Sequence, residues 1–221
     1  YETYGLFQSA QEIAGAANQD KVSGGIKLMP GDIRFVDRNN DGVIDWGDNT
    51  VDNPGDKKII GNSTPRYHYG INLGADWKGF DLGIFFQGVG KRDLYLPGTS
   101  FRSHYGSEWQ VPSAYNNDYW TEENTGAYFP RARFNGGSAI NQAQTRYMVD
   151  ASYCRLKSVS IGYTLPKVLT QKASIEKIRI YFTGENLFTI SDTPDGLDPE
   201  LDNPYTYPMQ RSLSVGLSLT F

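Results

Sequence analysis

Arg211-Ser212-Leu213-Ser214-Val215-Gly216-Leu217-Ser218-Leu219-Thr220-Phe221 alternates without an error. Leu213, Val215, Leu217, Leu219 and Phe221 fall on one face, and Ser212, Ser214, Gly216, Ser218 and Thr220 on the other. A period of two marks a β-strand, because successive side chains leave opposite sides of the pleat. A soluble sandwich turns its large side chains into a core. A transmembrane barrel turns them into lipid and lines its lumen with small polar groups, and the serine-rich face of this stretch fits that arrangement.

The same pattern recurs upstream. Tyr67, Tyr69, Ile71, Leu73, Ala75 and Trp77 alternate with His68, Gly70, Asn72, Gly74 and Asp76. After Lys78-Gly79, a two-residue hairpin signal, Phe80, Leu82, Ile84 and Phe86 alternate with Asp81, Gly83, Phe85 and Gln87. Residues flanking such a turn share a face, so Trp77 and Phe80 point the same way, outward. Val159, Ile161, Tyr163 and Leu165 alternate with Ser158, Ser160, Gly162 and Thr164; Ile178, Ile180 and Phe182 alternate with Arg179, Tyr181 and Thr183. Together with the terminal stretch these predict five strands.

Tyr67 to Trp77 extends roughly 33 Å, or about 25 Å in depth at a tilt near 40°, the height of a barrel's apolar band. The composition is tyrosine- and glycine-rich, with 15 Tyr and 24 Gly against three Met in 221 residues. No apolar run approaches the ~20 residues of a spanning helix. A net charge of −4 argues against nucleic acid. Cys154 is the single cysteine, which rules out an internal disulfide. A final aromatic at Phe221 resembles the assembly signal of bacterial outer-membrane proteins, and the lack of a leader before Tyr1 implies a missing start.

Five strands cannot close a barrel, and open edges in hydrocarbon leave backbone groups unsatisfied, so the chain is expected to be part of a larger one. With Phe221 at the periplasmic end, parity orients every strand. The organisation expected is an extracellular segment over 1–66 carrying a calcium-type loop at 37–48, a transmembrane hairpin over 67–90, and a long extracellular loop over 91–152. A strand pair with a periplasmic turn follows over 153–187, then an extracellular loop over 188–209 and the terminal strand over 210–221. Ser9 with Glu12 fits a capping box and predicts a short surface helix through Ala17.

The string PGDIRFVDRNNDGVID from Pro30 and KKIIGNSTPRYHYGINLGADWKGFDLGIFFQG through Gly88 resemble SusC/RagA-like TonB-dependent outer-membrane transporters of Bacteroidetes. So do YCRLKSVSIGYTLPK from Tyr153, IRIYFTGENLF from Ile178 and GLDPE at Gly196–Glu200. The resemblance implies the C-terminal part of a plugged barrel of about 22 strands. It implies import of oligosaccharides or peptides with a SusD-like surface lipoprotein as lid and the TonB complex as energy source. The plug and the TonB-contacting part of that family are not in this sequence, so the remainder of the barrel and plug are implied partners.

Asp37-Arg-Asn39-Asn-Asp41-Gly42-Val43-Ile-Asp45-Trp-Gly-Asp48 follows the EF-hand-like calcium loop. Side-chain oxygens stand at its first, third and fifth positions, glycine at the sixth, the Val43 carbonyl at the seventh, and carboxylates at the ninth and twelfth. The other reading of these residues is a cluster of Asx-turns without metal. In the long outer loop, Trp109, Tyr119 and Trp120 are candidates for substrate or partner contact, while most of that loop's aromatics read as its own small core. Asp192, Asp195, Asp198 and Asp202 read as solvated turn chemistry.

Catalysis finds no footing, since His68 and His104 lack a nucleophilic partner at recognisable spacing and Cys154 stands outside any reactive signature. Three function classes stay open. The first is an active importer segment, the second a passive porin or adhesin barrel, and the third a soluble calcium-dependent glycan-binding sandwich.

Overall fold

The computed structural model describes residues 1–96, 118–133, 137–201, 206–207 and 209–221. They fall into two compact units, one from Tyr1–Asn62 with Leu94–Val149 and one from Ser63–Asp93 with Asp150–Phe221.

The second unit is a wall of long antiparallel strands. β3 (Tyr67–Trp77) and β4 (Phe80–Gly90) form a hairpin in full register, with Trp77 opposite Phe80. Lys78 and Gly79 both take positive φ, 47° and 91°, the backbone of a type I′ turn whose twist matches that of its strands. β7 (Tyr153–Thr164), β8 (Lys177–Glu185) and β10 (Ser212–Thr220) complete the order β10-β8-β7-β4-β3. The short α3 (Lys167–Thr170) lies in the connection from β7 to β8.

Register carries each face across all five strands. Ala75, Leu82, Ile161, Phe182 and Val215 form one apolar row, and Trp77, Phe80, Tyr163, Ile180 and Leu217 the next. Apart from the half-buried Tyr163 these side chains are exposed, Trp77 at 68% and Leu217 at 59%. No second sheet covers them among the described residues, so the sandwich reading fails and the sheet is a part of a transmembrane barrel wall. On the inner face Gly74, Gly83, Ser160, Thr183 and Ser214 form a row of small residues.

Parity does not run unbroken along β7. Phe85 pairs with Ser158 but Phe86 pairs with Leu156, leaving Lys157 as the extra residue of a bulge. Counting outward from Val159 would send Lys157, Arg155 and Tyr153 into lipid; the bulge turns Arg155 and Tyr153 inward instead. β8 makes the matching adjustment: it ends at Glu185, Asn186 takes φ 50°, and β9 (Thr189–Ser191) resumes pairing with Tyr153–Arg155.

The first unit folds around its own core of Phe7, Val22, Ile33, Ile44, Leu96 and Tyr147, each 2% exposed or less. β1 (Thr3–Leu6) pairs with β2 (Ile33–Phe35), while β5 (Asp93–Tyr95) and β6 (Met148–Asp150) form a further two-stranded sheet. The helix α1 (Ala10–Ala14) is capped by Ser9, whose Oγ accepts from the Glu12 amide at 3.2 Å. Glu12 answers by accepting from Gln8 rather than from Ser9, and the helix stops at Gly15, short of the expected Ala17. A second turn, α2 (Asp20–Ser23), follows. Gly31 sits at φ 94°, where a Cβ would come within 2.6 Å of both Arg131 and Trp120, so only glycine fits there.

Candidate functional site

The inner face of the wall carries a fixed charge pair. Asp81 on β4, Gly162 on β7, Tyr181 on β8 and Gly216 on β10 share one row. Arg179 reaches across that row to Asp81, donating from Nε at 2.9 Å and from Nη2 at 2.5 Å, the bidentate geometry that a guanidinium and a carboxylate favour. The bridge passes directly over Gly162, where a Cβ would lie 2.5 Å from both partners. Tyr181 lies flat over Gly216 in the same way, and the Arg179 guanidinium sits 4.8 Å from its ring. Two glycines therefore make the room in which one charged and one aromatic side chain are held against the wall.

A second cluster fixes the last outer loop. Arg155, turned inward by the bulge, donates to Asp198 at 2.6 Å and to the Thr189 hydroxyl at 2.7 Å. Lys157 donates to Glu200 at 2.8 Å, and Arg155 Nη1 lies 3.3 Å from the same carboxylate. The side chains of Arg155 and Asp198 are 4% and 6% exposed. Arg92 adds a bond to the Pro199 carbonyl at 2.9 Å. Burial pushes the Asp198 carboxyl up, yet the Arg155 bond, the amides of Glu200 and Met209 and the Arg155 charge together hold it below the usual carboxylate range. Asp198 is thus a buried ion-pair partner and not the solvated turn residue expected; the only sign of this in the sequence was Arg155 and Lys157 sharing the parity of lipid-facing Val159. Beside the cluster a polar cavity of about 490 Å³ is bordered by Arg155, Asn186, Ser191, Asp195 and Arg211.

The loop at 37–48 is a chain of side-chain-to-amide turns. Asp37 accepts from the amides of Asn40 and Gly42, Asn39 from Asp41, and Asp41 from Val43. The two later carboxylates point elsewhere: Asp45 takes the Lys21 ammonium at 2.6 Å and the Gly47 amide at 2.8 Å, and Asp48 takes the Asn53 side chain at 2.8 Å. The Lys21 bond, with the Gly47 amide, lowers the Asp45 pKa, and Asp45 in turn raises that of Lys21. Among the described residues no three Asp, Glu, His or Cys side chains converge as a metal requires. An ion here would have to take the oxygens of Asp37, Asn39 and Asp41 from the amides that donate to them, and those of Asp45 and Asp48 from Lys21 and Asn53.

Trp120 is 4% exposed, donates from Nε1 to Gln8 and has the Arg131 guanidinium 5.7 Å from its ring. Most of the ring is enclosed in the unit's core, and it also borders, beside Tyr119, a small cavity. That cavity, of about 240 Å³, is lined as well by Glu122, Glu123 and Arg131. Trp109 and His104 lie outside the described residues. His68 stands exposed opposite Val89, and Cys154 is a half-buried free thiol opposite Gly88 and Ile190.

No family model matches the chain. It is 31% identical over 239 residues to TonB-dependent receptor P3 of Formosa agariphila, covering 100% of this chain and 22% of that protein. To TonB-dependent receptor SusC of Bacteroides thetaiotaomicron it is 29% identical over 194 residues, 85% of this chain and 17% of that protein. The chain therefore spans about a fifth of the length of these curated relatives. A solved structure of the RagAB peptide transporter superimposes with a TM-score of 0.61 at 28% identity, over 74% of this chain and 18% of that one. A wall with one apolar exposed face and one polar face, matched in sequence and in fold to these receptors, makes the chain a C-terminal barrel segment of the SusC/RagA-like TonB-dependent outer-membrane receptors.

Proposed function

We propose that the chain supplies wall strands and outer loops to an active importer of oligosaccharides or peptides, with a SusD-like lipoprotein as lid and TonB as energy source. The observation that carries this reading is the two-faced five-strand sheet, apolar outside and holding the Asp81–Arg179 bridge inside, in a chain similar to SusC and to a RagAB peptide transporter. In this reading the loops over 1–66, 91–152 and 188–209 lie outside the cell and Phe221 faces the periplasm. A passive porin remains the rival. Uptake of labelled oligosaccharide or peptide by cells carrying the full-length receptor should stop when TonB is deleted or the proton gradient is collapsed; uptake that persists would favour the passive pore. Tyr119 and Trp120, which border one cavity, are the candidate contacts for substrate or lid, together with Trp109.

Calcium is the second component of the proposal. Asp37, Asn39, Asp41, the Val43 carbonyl, Asp45 and Asp48 would hold it, and the ion would serve as a structural clip around Trp46. Millimolar calcium should slow proteolytic nicking within 37–56 relative to chelator, and Asp41→Ala should abolish the difference. Equal cleavage with calcium and with chelator would leave a metal-free turn held by its own amides.

A further inference from the structure

In the unit formed by Tyr1–Asn62 and Leu94–Val149, a cavity of about 340 Å³ has two guanidinium groups in its lining, those of Arg34 and Arg146. Arg34 lies on β2, and β1 opposes it with two residues, Tyr4 and Gly5, between the pairs Thr3–Phe35 and Leu6–Ile33. This is a bulge, with Gly5 at φ 102°, and a bulge re-aims the side chain beside it. Here the Tyr4 ring comes to 4.9 Å from the Arg34 guanidinium while remaining 72% exposed.

Arg146 is fixed from the other side. Its Nε and Nη2 donate to the carbonyls of Tyr128 at 2.6 Å and Ala127 at 2.8 Å. Burial is the largest influence on this half-buried guanidinium and lowers its pKa, while the charges of Tyr147, Tyr128 and Asp118 raise it. Neither arginine forms an ion pair among the described residues. The acid that borders the cavity, Glu12, has Oε2 engaged by the Gln8 amide at 2.8 Å. Gln8 is itself held by the Leu6 carbonyl at 2.9 Å and by Trp120 Nε1 at 3.2 Å. The walls are thus set, and in the lining two arginines stand against one carboxylate, that of Glu12.

We propose that this cavity binds a small carboxylate-bearing ligand, with Arg34 and Arg146 taking the carboxylate, Tyr4 closing one side, and Glu12 accepting from a hydroxyl or amine next to it. A guanidinium presents paired donors that match a carboxylate, and the volume lies at the small end of ligand pockets, the size of one sugar or amino-acid unit.

The test is calorimetric titration of the detergent-solubilised full-length receptor with D-glucuronate, with L-glutamate, and with D-glucose as the neutral control. An acid should bind and glucose should not, with affinity falling as salt rises. Arg34→Gln should weaken binding about tenfold, the loss of one charge-assisted bond. Because Arg34 also packs against Phe7, the unfolding temperature of this variant is measured beside the titration. Tyr4→Ala, which removes an exposed ring, gives a second reading with the fold intact and should weaken binding about threefold. Binding of glucuronate alone identifies a hydroxyl at Glu12, and binding of glutamate alone an amine. The inference is overturned if neither acid binds, if glucose binds equally well, or if a folded Arg34→Gln and Tyr4→Ala both bind as the parent does.

Discussion

Leu217→Arg is expected to lower the stability of the assembled barrel by roughly 2–4 kcal/mol, the cost of an arginine on the lipid face near mid-bilayer. Leu217 projects from the exposed face, paired with Ile180, and lies four residues before Phe221. That is roughly 13 Å along the strand, about 10 Å in depth at a tilt near 40°. The matched control is Ser214→Arg, which points inward to a row of Gly83, Ser160 and Thr183 where there is room for a long side chain. Ser218 is a poorer control, because it stands opposite Arg179 and would add repulsion. Urea unfolding of the receptor refolded in lipid vesicles measures both. A larger loss for Ser214→Arg would mean that the two faces have been interchanged, and equal losses that Leu217 does not face lipid.

Arg155→Met should cost about 3–5 kcal/mol, because it leaves the Asp198 carboxylate buried without its cation and Glu200 with Lys157 alone. The loop around Gly196–Glu200 should then detach from β7 and become open to protease while the strands stay paired. Adding Asp198→Asn and Glu200→Gln to that variant should recover much of the loss, since the damage comes from the stranded charges. A single-variant loss below about 1 kcal/mol would show that water reaches the cluster in the intact receptor.

The wall was legible in the sequence because its period is short and local. Each residue's side follows from its neighbours, and Lys78-Gly79 fixes the register of the whole hairpin. The bulge at Lys157 was not legible as such. It shows only as a conflict, two cations on the lipid parity, and Asp198 and Glu200, which resolve that conflict, lie more than forty residues further along the chain. The same distance hides the links of the first unit: Trp120 reads as a candidate contact residue, and nothing near it in the sequence shows that Gln8 and Gly31 enclose most of its ring. At 37–48 the calcium pattern was plain, yet Asp45 is turned aside by Lys21, a residue outside the motif.

The Asp81–Arg179 bridge has a mechanical consequence. Ladder hydrogen bonds resist strands being pulled apart, but they re-form when one strand slides past another by a step of the pleat. A bond that leaps from β4 to β8 across β7 runs diagonally to that sliding, as a cross-brace does in a frame, and it ties strands that share no ladder of their own. It stands beside the Lys78-Gly79 turn, at one end of the wall, and gives that end a resistance to shear that the row of small residues farther along cannot supply. Gly162, with no side chain to obstruct the brace, is what allows three strands to move as a single plate.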